Sequence, residues 1–212
     1  MIDLSRFRAA IFDFDGVIAD SETLQLQAWH QVARELNISG FHCPLEKIAG
    51  RQDIHIAPEL FSPPYDSDHA MRRKWAIEHD LAQAGQMLPM PGSLELIRHL
   101  SQTFQLAIAS SRRPGSIEHW LNRHELFAKF HAIVGQVEGL PCKPSPAPYL
   151  RALQLLNVCS GQACAIEDSP VGIEASKAAN IYTIQLCHSH MPRCAAADCQ
   201  IESLRQLMPL AR

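Results

Sequence analysis

The sequence predicts an α/β protein, a doubly wound parallel sheet with an all-helical block inserted after its first strand. Three observations predict it. Short apolar runs at residues 9–12, 105–109, 132–134, 163–166 and 181–186 alternate with helical patterns, the signature of parallel strands joined by crossover helices. Residues 20–86 show helical periodicity and no convincing strand. Several apolar runs end abruptly in reactive polar groups, as expected where a parallel sheet presents its carboxyl ends to a ligand. The expected division is a core of residues 1–17 plus 88–212 and a helical cap of residues 18–87.

Residues 9–12 form a short apolar run flanked by charge, which reads as a buried strand. Asp13 and Asp15 follow, and Gly16 permits a sharp turn. Asp20 or Ser21 can cap the next helix, in which Leu24, Ala28, Trp29, Val32, Ala33 and Leu36 recur at helical spacing. Asn37 and Gly40 stop it. Residues 44–49 and 51–61 read as a short helix and an irregular one containing Pro58. Residues 67–84 form a longer helix, with Met71, Trp75 and Leu81 on its apolar side and Gly85 at its end. Trp29 and Trp75 are expected in the interior of the cap.

Beyond residue 93 the pattern becomes helix, strand, helix, strand. Pro114 and Pro170 stand where first-turn prolines belong, and Ser169 is placed to cap the helix after residue 168. A proline-rich loop at 139–146 precedes a helix at 147–156, and residues 201–207 form a terminal helix or turn.

The 212 residues are 47% hydrophobic and 19% charged, with net charge -3. That is ample for a packed core and gives no support for nucleic-acid binding. No apolar run approaches the ~18 to 20 residues that span a bilayer, and the N-terminus lacks a signal-peptide pattern. A cytoplasmic monomer acting on a small molecule, without nucleic-acid or membrane partners, is expected. The seven cysteines are scattered and odd in number, so they read as free thiols, mostly small core residues. Cys187, His188, His190 and Cys194 could be drawn as a zinc site, but their spacing fits no standard pattern.

Asp13/Asp15, Ser110 and Glu167/Asp168 end three strands, and Lys143 lies in a loop before a helix. In a parallel sheet these groups converge on one side. Each alone has an ordinary reading: solvated strand-tip acids, a helix cap, a surface lysine, an acidic pair at a helix N-terminus. A calcium loop at 13–16 lacks its later ligands. Together the groups supply carboxylates for a divalent metal, a hydroxyl donor, backbone N–H groups and one cation. That set suits a phosphoryl group, and oxygen-only ligands favour Mg²⁺.

The segments Phe12-Asp13-Phe14-Asp15-Gly16-Val17, Ala109-Ser110-Ser111, Lys143-Pro144-Ser145-Pro146 and Ile166 to Ala175 resemble the four motifs of the haloacid dehalogenase superfamily. The likeness covers nearly the whole chain and lies in the phosphatase branch near β-phosphoglucomutase, with a Rossmann-like core and a helical cap. It implies Asp13 as nucleophile and Asp15 as general acid and base. It implies Mg²⁺ held by Asp13, the Asp15 carbonyl, Asp168 and Glu167, and phosphate held by Ser110, Ser111 and Lys143. Cap-side contacts to substrate would come from Arg51 and Gln25, with Arg112 from the core.

Two kinds of departure stand out. Ala147 replaces the acid that usually follows the third motif, and Ser145 is a substitute cap. Gln25 and Asp53 stand where the mutase branch carries a histidine and an arginine, which favours hydrolysis. The implied activity is phosphomonoester hydrolysis of a sugar or polyol phosphate. The alternatives are an intramolecular phosphotransferase and an inactive binding protein.

Overall fold

The computed structural model describes residues 2–48, 50–189 and 191–208. Its centre is β1 (Ala9–Phe12), every residue of which is buried. Strand β1 pairs in parallel with β4 (Gln105–Ala109) on one side and β6 (Ala163–Glu167) on the other, placing Ile11 opposite both Ala107 and Ala165. Strand β5 (Ala132–Val134) extends one edge, and β7 (Tyr182–Leu186) and β8 (Cys199–Ile201) extend the other. The order β5-β4-β1-β6-β7-β8 shows that the chain leaves β1 toward one edge and later returns to build the other. The crevice at such a reversal lies beyond the carboxyl end of β1, where Asp13 begins.

Helices cover both faces, as a parallel sheet with two apolar sides requires. On one face Leu96, Ile97 and Leu100 of α4 (Ser93–Leu100) pack with Ile117, Trp120 and Leu121 of α5 (Pro114–Arg123) against Phe12 and Ile108. On the other, Tyr149, Ala152 and Leu153 of α6 (Ala147–Leu156) and Ala175 of α7 (Pro170–Ala178) pack against Ile11 and Ala107. The Ser169 hydroxyl accepts from the Gly172 N–H, so the cap and first-turn proline expected for α7 both form. The Ser145 hydroxyl accepts from the Ala147 N–H at 3.3 Å, a local substitute for the missing acid.

Residues 22–83 contribute α1 (Glu22–Glu35), α2 (Asp53–Leu60) and α3 (Ser67–Gln83). Trp29, Val32, Ile48, Ile56, Phe61, Met71 and Ile77 form an apolar cluster separate from those on the sheet. Ala49, the expected end of the short helix at 44–49, lies outside the described residues; a 3₁₀ turn at Leu45–Lys47 is what forms there. Helix α3 begins at Asp66, whose carboxylate accepts from the N–H groups of Asp68 and His69.

Several details differ from expectation. A two-residue ribbon pairs β2 (Ala19–Asp20) with β3 (Leu88–Pro89), joining the two ends of the helical block. Neither it nor β8 has enough periodicity to be read locally; partner strands create them. The Ser21 hydroxyl caps nothing, because it donates to Asp15 instead. Of the seven cysteines, all free, only Cys43 and Cys164 are buried, so most are not core residues. Trp29 is buried as expected, but Trp75 faces a cavity, with the Arg113 guanidinium 4.3 Å from its ring centre.

Candidate active site

The carboxyl end of β1 carries Asp13 directly into the crevice. Its N–H donates to the Ile166 carbonyl on β6, so the sheet ladder itself fixes its position. Glu167 is the last residue of β6 and Asp168 follows it. Carboxylate oxygens of Asp13, Glu167 and Asp168 lie within 4.8 Å of one another, and all three residues are buried. Three buried acids repel unless cations compensate them.

Lys143 supplies one compensating charge. Its ammonium donates to Asp13 Oδ1 at 2.9 Å and to Glu167 Oε1 at 2.5 Å, and its side chain is 1% exposed. Burial alone would lower the lysine's pKa, but Asp13 and Glu167 hold it well above the usual value. Glu167 is also held by the Tyr149 hydroxyl at 2.7 Å and by the Asp168 and Ser169 N–H groups. Burial pushes the Asp13 carboxyl up to about 7, against the pull of Lys143. Burial pushes Asp168 well above the carboxylate range, and Glu167 and Asp13 add to the effect.

One positive charge is too few for this cluster. Asp168 Oδ2 is buried without a hydrogen-bond partner. Gly16, at φ 74°, brings its backbone so close that a side chain there would collide with the Asp168 carboxylate. An unpartnered oxygen beside two further carboxylates is a donor set for a small, hard cation. His188 borders this pocket of charge: its Nε2 lies 2.8 Å from the Gly16 carbonyl and 3.8 Å from Asp168 Oδ2. Among the described residues this acid trio is the group suited to a metal; the zinc arrangement drawn through His190 lies partly outside them.

Asp15 is held by a different set of partners. Its carboxylate accepts from the Ser21 hydroxyl, from Gln25 Nε2 at 3.4 Å and from Arg112 Nε at 2.8 Å. Arg112 also donates to Glu78 of α3 at 3.0 Å. Ser110 is buried and accepts the Arg112 N–H on its hydroxyl, and the Ser111 hydroxyl donates to the Gly50 carbonyl at 2.9 Å. Arg51 lies nearby, but Glu59 holds it through two contacts, at 2.5 and 3.1 Å. A cavity of about 520 Å³ opens from Asp13 and Asp15 and runs between the helical block and α5. Gln25, Arg51, Ser111 and Arg112 line it.

Sequence reasoning missed Lys74 and Glu78. Helix α3 places Ala70, Met71, Lys74, Ile77, Glu78 and Leu81 on one stripe, and a lysine and a glutamate inside an apolar stripe are the available signal. Lys74 pairs with Asp53 at 2.9 Å and Glu78 at 2.7 Å. Asp53 also accepts from the Trp75 indole N–H at 2.6 Å. Burial alone would raise Glu78, but Lys74 and Arg112 hold its carboxyl down at about 2. Tyr149 and His188 were missed as well, because each reaches the site from an element whose position the sequence does not reveal.

A parallel sheet carrying carboxylates and a buried lysine at its switch point, beside a helical block, defines an α/β protein with a candidate active site built on acids. The chain belongs to the haloacid dehalogenase-like hydrolase family, whose profile matches residues 10–186. It is 28% identical to β-phosphoglucomutase of Bacillus subtilis, over 84% of this chain and 82% of that one. It is 29% identical to the phosphorylated carbohydrates phosphatase of Thermotoga maritima, over 83% of each. The fold matches the crystal structure of CbbY from Rhodobacter sphaeroides in complex with phosphate, with TM-score 0.85, 24% identity and coverage of 96% of this chain and 97% of that one.

Proposed function

We propose that the chain is a Mg²⁺-dependent phosphomonoester hydrolase acting on a sugar or polyol phosphate through an aspartyl-phosphate. The observation that carries this reading is the buried Asp13–Glu167–Asp168 trio, with one lysine and an unpartnered oxygen, at the inner end of a cavity. The similarity to a carbohydrate phosphatase supports the substrate class. Asp13, Asp168, Glu167 and the Asp15 carbonyl would hold Mg²⁺. When bound, the ion offsets the carboxylate charge and the charge of the phosphoryl oxygens.

In this reading Asp13 attacks phosphorus as its bond to the ester oxygen breaks, leaving an acyl phosphate. Asp15 gives a proton to the departing alcohol oxygen, then takes one from the water that attacks the acyl phosphate. Inorganic phosphate leaves and Asp13 is regenerated. Lys143, the Ser110 hydroxyl and the Ser111 N–H would bind the phosphoryl oxygens. Ser21, Gln25 and Arg112 orient Asp15. The helical block at 18–87 would be a cap that selects the leaving group, hinged at the β2–β3 ribbon. A cytoplasmic monomer is the proposed state, and the free thiols suit a reducing compartment.

The test is hydrolysis of a chromogenic phosphomonoester, dependent on Mg²⁺ and abolished by EDTA and by Asp13→Asn. Conversion of a hexose 1-phosphate to its isomer without free phosphate would instead establish the phosphotransferase activity of the mutase branch.

A further inference from the structure

Beyond the phosphoryl site, the cavity wall carries an unbroken chain of alternating charges. Asp15 pairs with Arg112, Arg112 with Glu78, Glu78 with Lys74, and Lys74 with Asp53. The side chains of Arg112, Lys74 and Glu78 are less than a tenth exposed. Lys74 places its ammonium on both Asp53 oxygens, at 3.0 and 2.9 Å, and on Glu78, which accounts for its three N–H donors. With Asp15 ionised, three carboxylates against two cations leave this chain of groups with one net negative charge.

We propose that this paired wall fits the cavity to the monophosphate of an uncharged polyhydroxylated alcohol and makes it discriminate against esters carrying a second phosphate. The inference rests on the phosphatase reading and adds a selection rule to it. A phosphomonoester group carries about −1.5 to −2 charges at pH 7. Against the wall it meets cations already engaged by carboxylates. To bind one, it must break a buried pair and strand its partner, which is strongly unfavourable. Arg51 pairs with Glu59 at an exposed position, where solvent screens its attraction for a second phosphate.

The remaining cationic groups lie at the exposed rim. Arg113 sits over the Trp75 ring, and Arg123 donates to the carbonyls of Ala82 and Gln83. His79 and His119 are exposed beside them. Solvent screens attraction at such positions. Hydroxyl groups fare differently. Glu78 and Asp53 can each accept a hydrogen bond from a hydroxyl while keeping their cation, and Gln136 and Ser116 add neutral partners.

Two measurements on the Mg²⁺-loaded protein test this. The first is turnover of an aryl phosphate, whose absence would refute the phosphatase reading. The second is the affinity for glucose 1-phosphate and for glucose 1,6-bisphosphate, read calorimetrically with the Asp13→Asn protein so that neither ester is consumed. The expected result is at least tenfold weaker binding of the bisphosphate. Asp53→Asn added to that protein removes one of the two carboxylates that hold Lys74 and is expected to narrow the ratio at least threefold. Equal or tighter binding of the bisphosphate by the Asp13→Asn protein overturns the proposal, whether or not the Asp53 variant folds. A ratio unmoved in a folded Asp53→Asn protein overturns the role of the paired wall.

Discussion

Replacing Lys143 by methionine removes the cation that sits between Asp13 and Glu167. The methionine keeps most of the buried stem but cannot donate to either carboxylate. Two charge-assisted hydrogen bonds disappear, at 2.9 and 2.5 Å, and three buried acids within 4.8 Å of one another lose their shared lysine. Breaking a buried pair by removing one partner costs about 3–5 kcal/mol. In a chain of this size that corresponds to a fall in Tm of roughly 6–20 °C. The acids respond by binding protons. The folded pKa values of Asp13 and Asp168, already raised by burial, rise further above the unfolded ones, so protonation stabilises the variant below the unfolded pKa and that stability is lost as pH rises through the folded pKa. For Asp13 the wild-type value is already about 7. The gap between wild type and Lys143→Met should therefore be small near pH 5 and widen toward pH 8.

The assay is urea unfolding in EDTA across that pH range, repeated with saturating Mg²⁺. The metal should restore more stability to the variant than to wild type, because it supplies the missing positive charge. Turnover should stay at least 10³-fold down, since the contact with phosphate proposed for the lysine is not replaced. A variant as stable as wild type at pH 8 in EDTA would refute the view that Lys143 holds the acid cluster together.

Asp13→Asn should lower hydrolysis of an aryl phosphate by at least 10³-fold while the far-UV circular dichroism is retained; surviving turnover would show that another group attacks phosphorus. Gly16→Ala forces a side chain into a positive-φ turn and against the Asp168 carboxylate, so stability should fall by about 1–3 kcal/mol and the Mg²⁺-induced rise in Tm should shrink. An unchanged Mg²⁺ response would show that Gly16 does not shape the acid cluster. Lys74→Met should cost about 3–5 kcal/mol, because Asp53 and Glu78 lose their shared cation, and Lys74→Arg should recover part of it. Equal stability of Lys74→Met and wild type in urea would refute the pairing.

Much of the core site was legible in the sequence because its residues end strands. Apolar runs stopping at Asp13, Ser110 and Glu167 announce their own position, and a parallel sheet brings such ends together without further information. The cap at Ser169 was equally local, since its hydroxyl acts on an N–H three residues away. Strand β8 was not legible, because Cys199–Ile201 is three residues long and becomes a strand by pairing with β7. Ser21 had the composition of a cap, but a neighbour distant in local geometry, Asp15, claimed its hydroxyl.

The sequence alone determined the parallel core, the helical insertion and the reactive groups at the strand ends, because periodicity and chain termination of strands are local properties. The tertiary structure decided how those groups are balanced. Lys143 reaches Asp13 across 130 positions of chain, and Arg112 reaches Asp15 across 97. Which cation meets which carboxylate depends on the packing of α3 and α6 against the crevice. Buried charges take their energies from neighbours within a few ångströms, and only the fold says who those neighbours are.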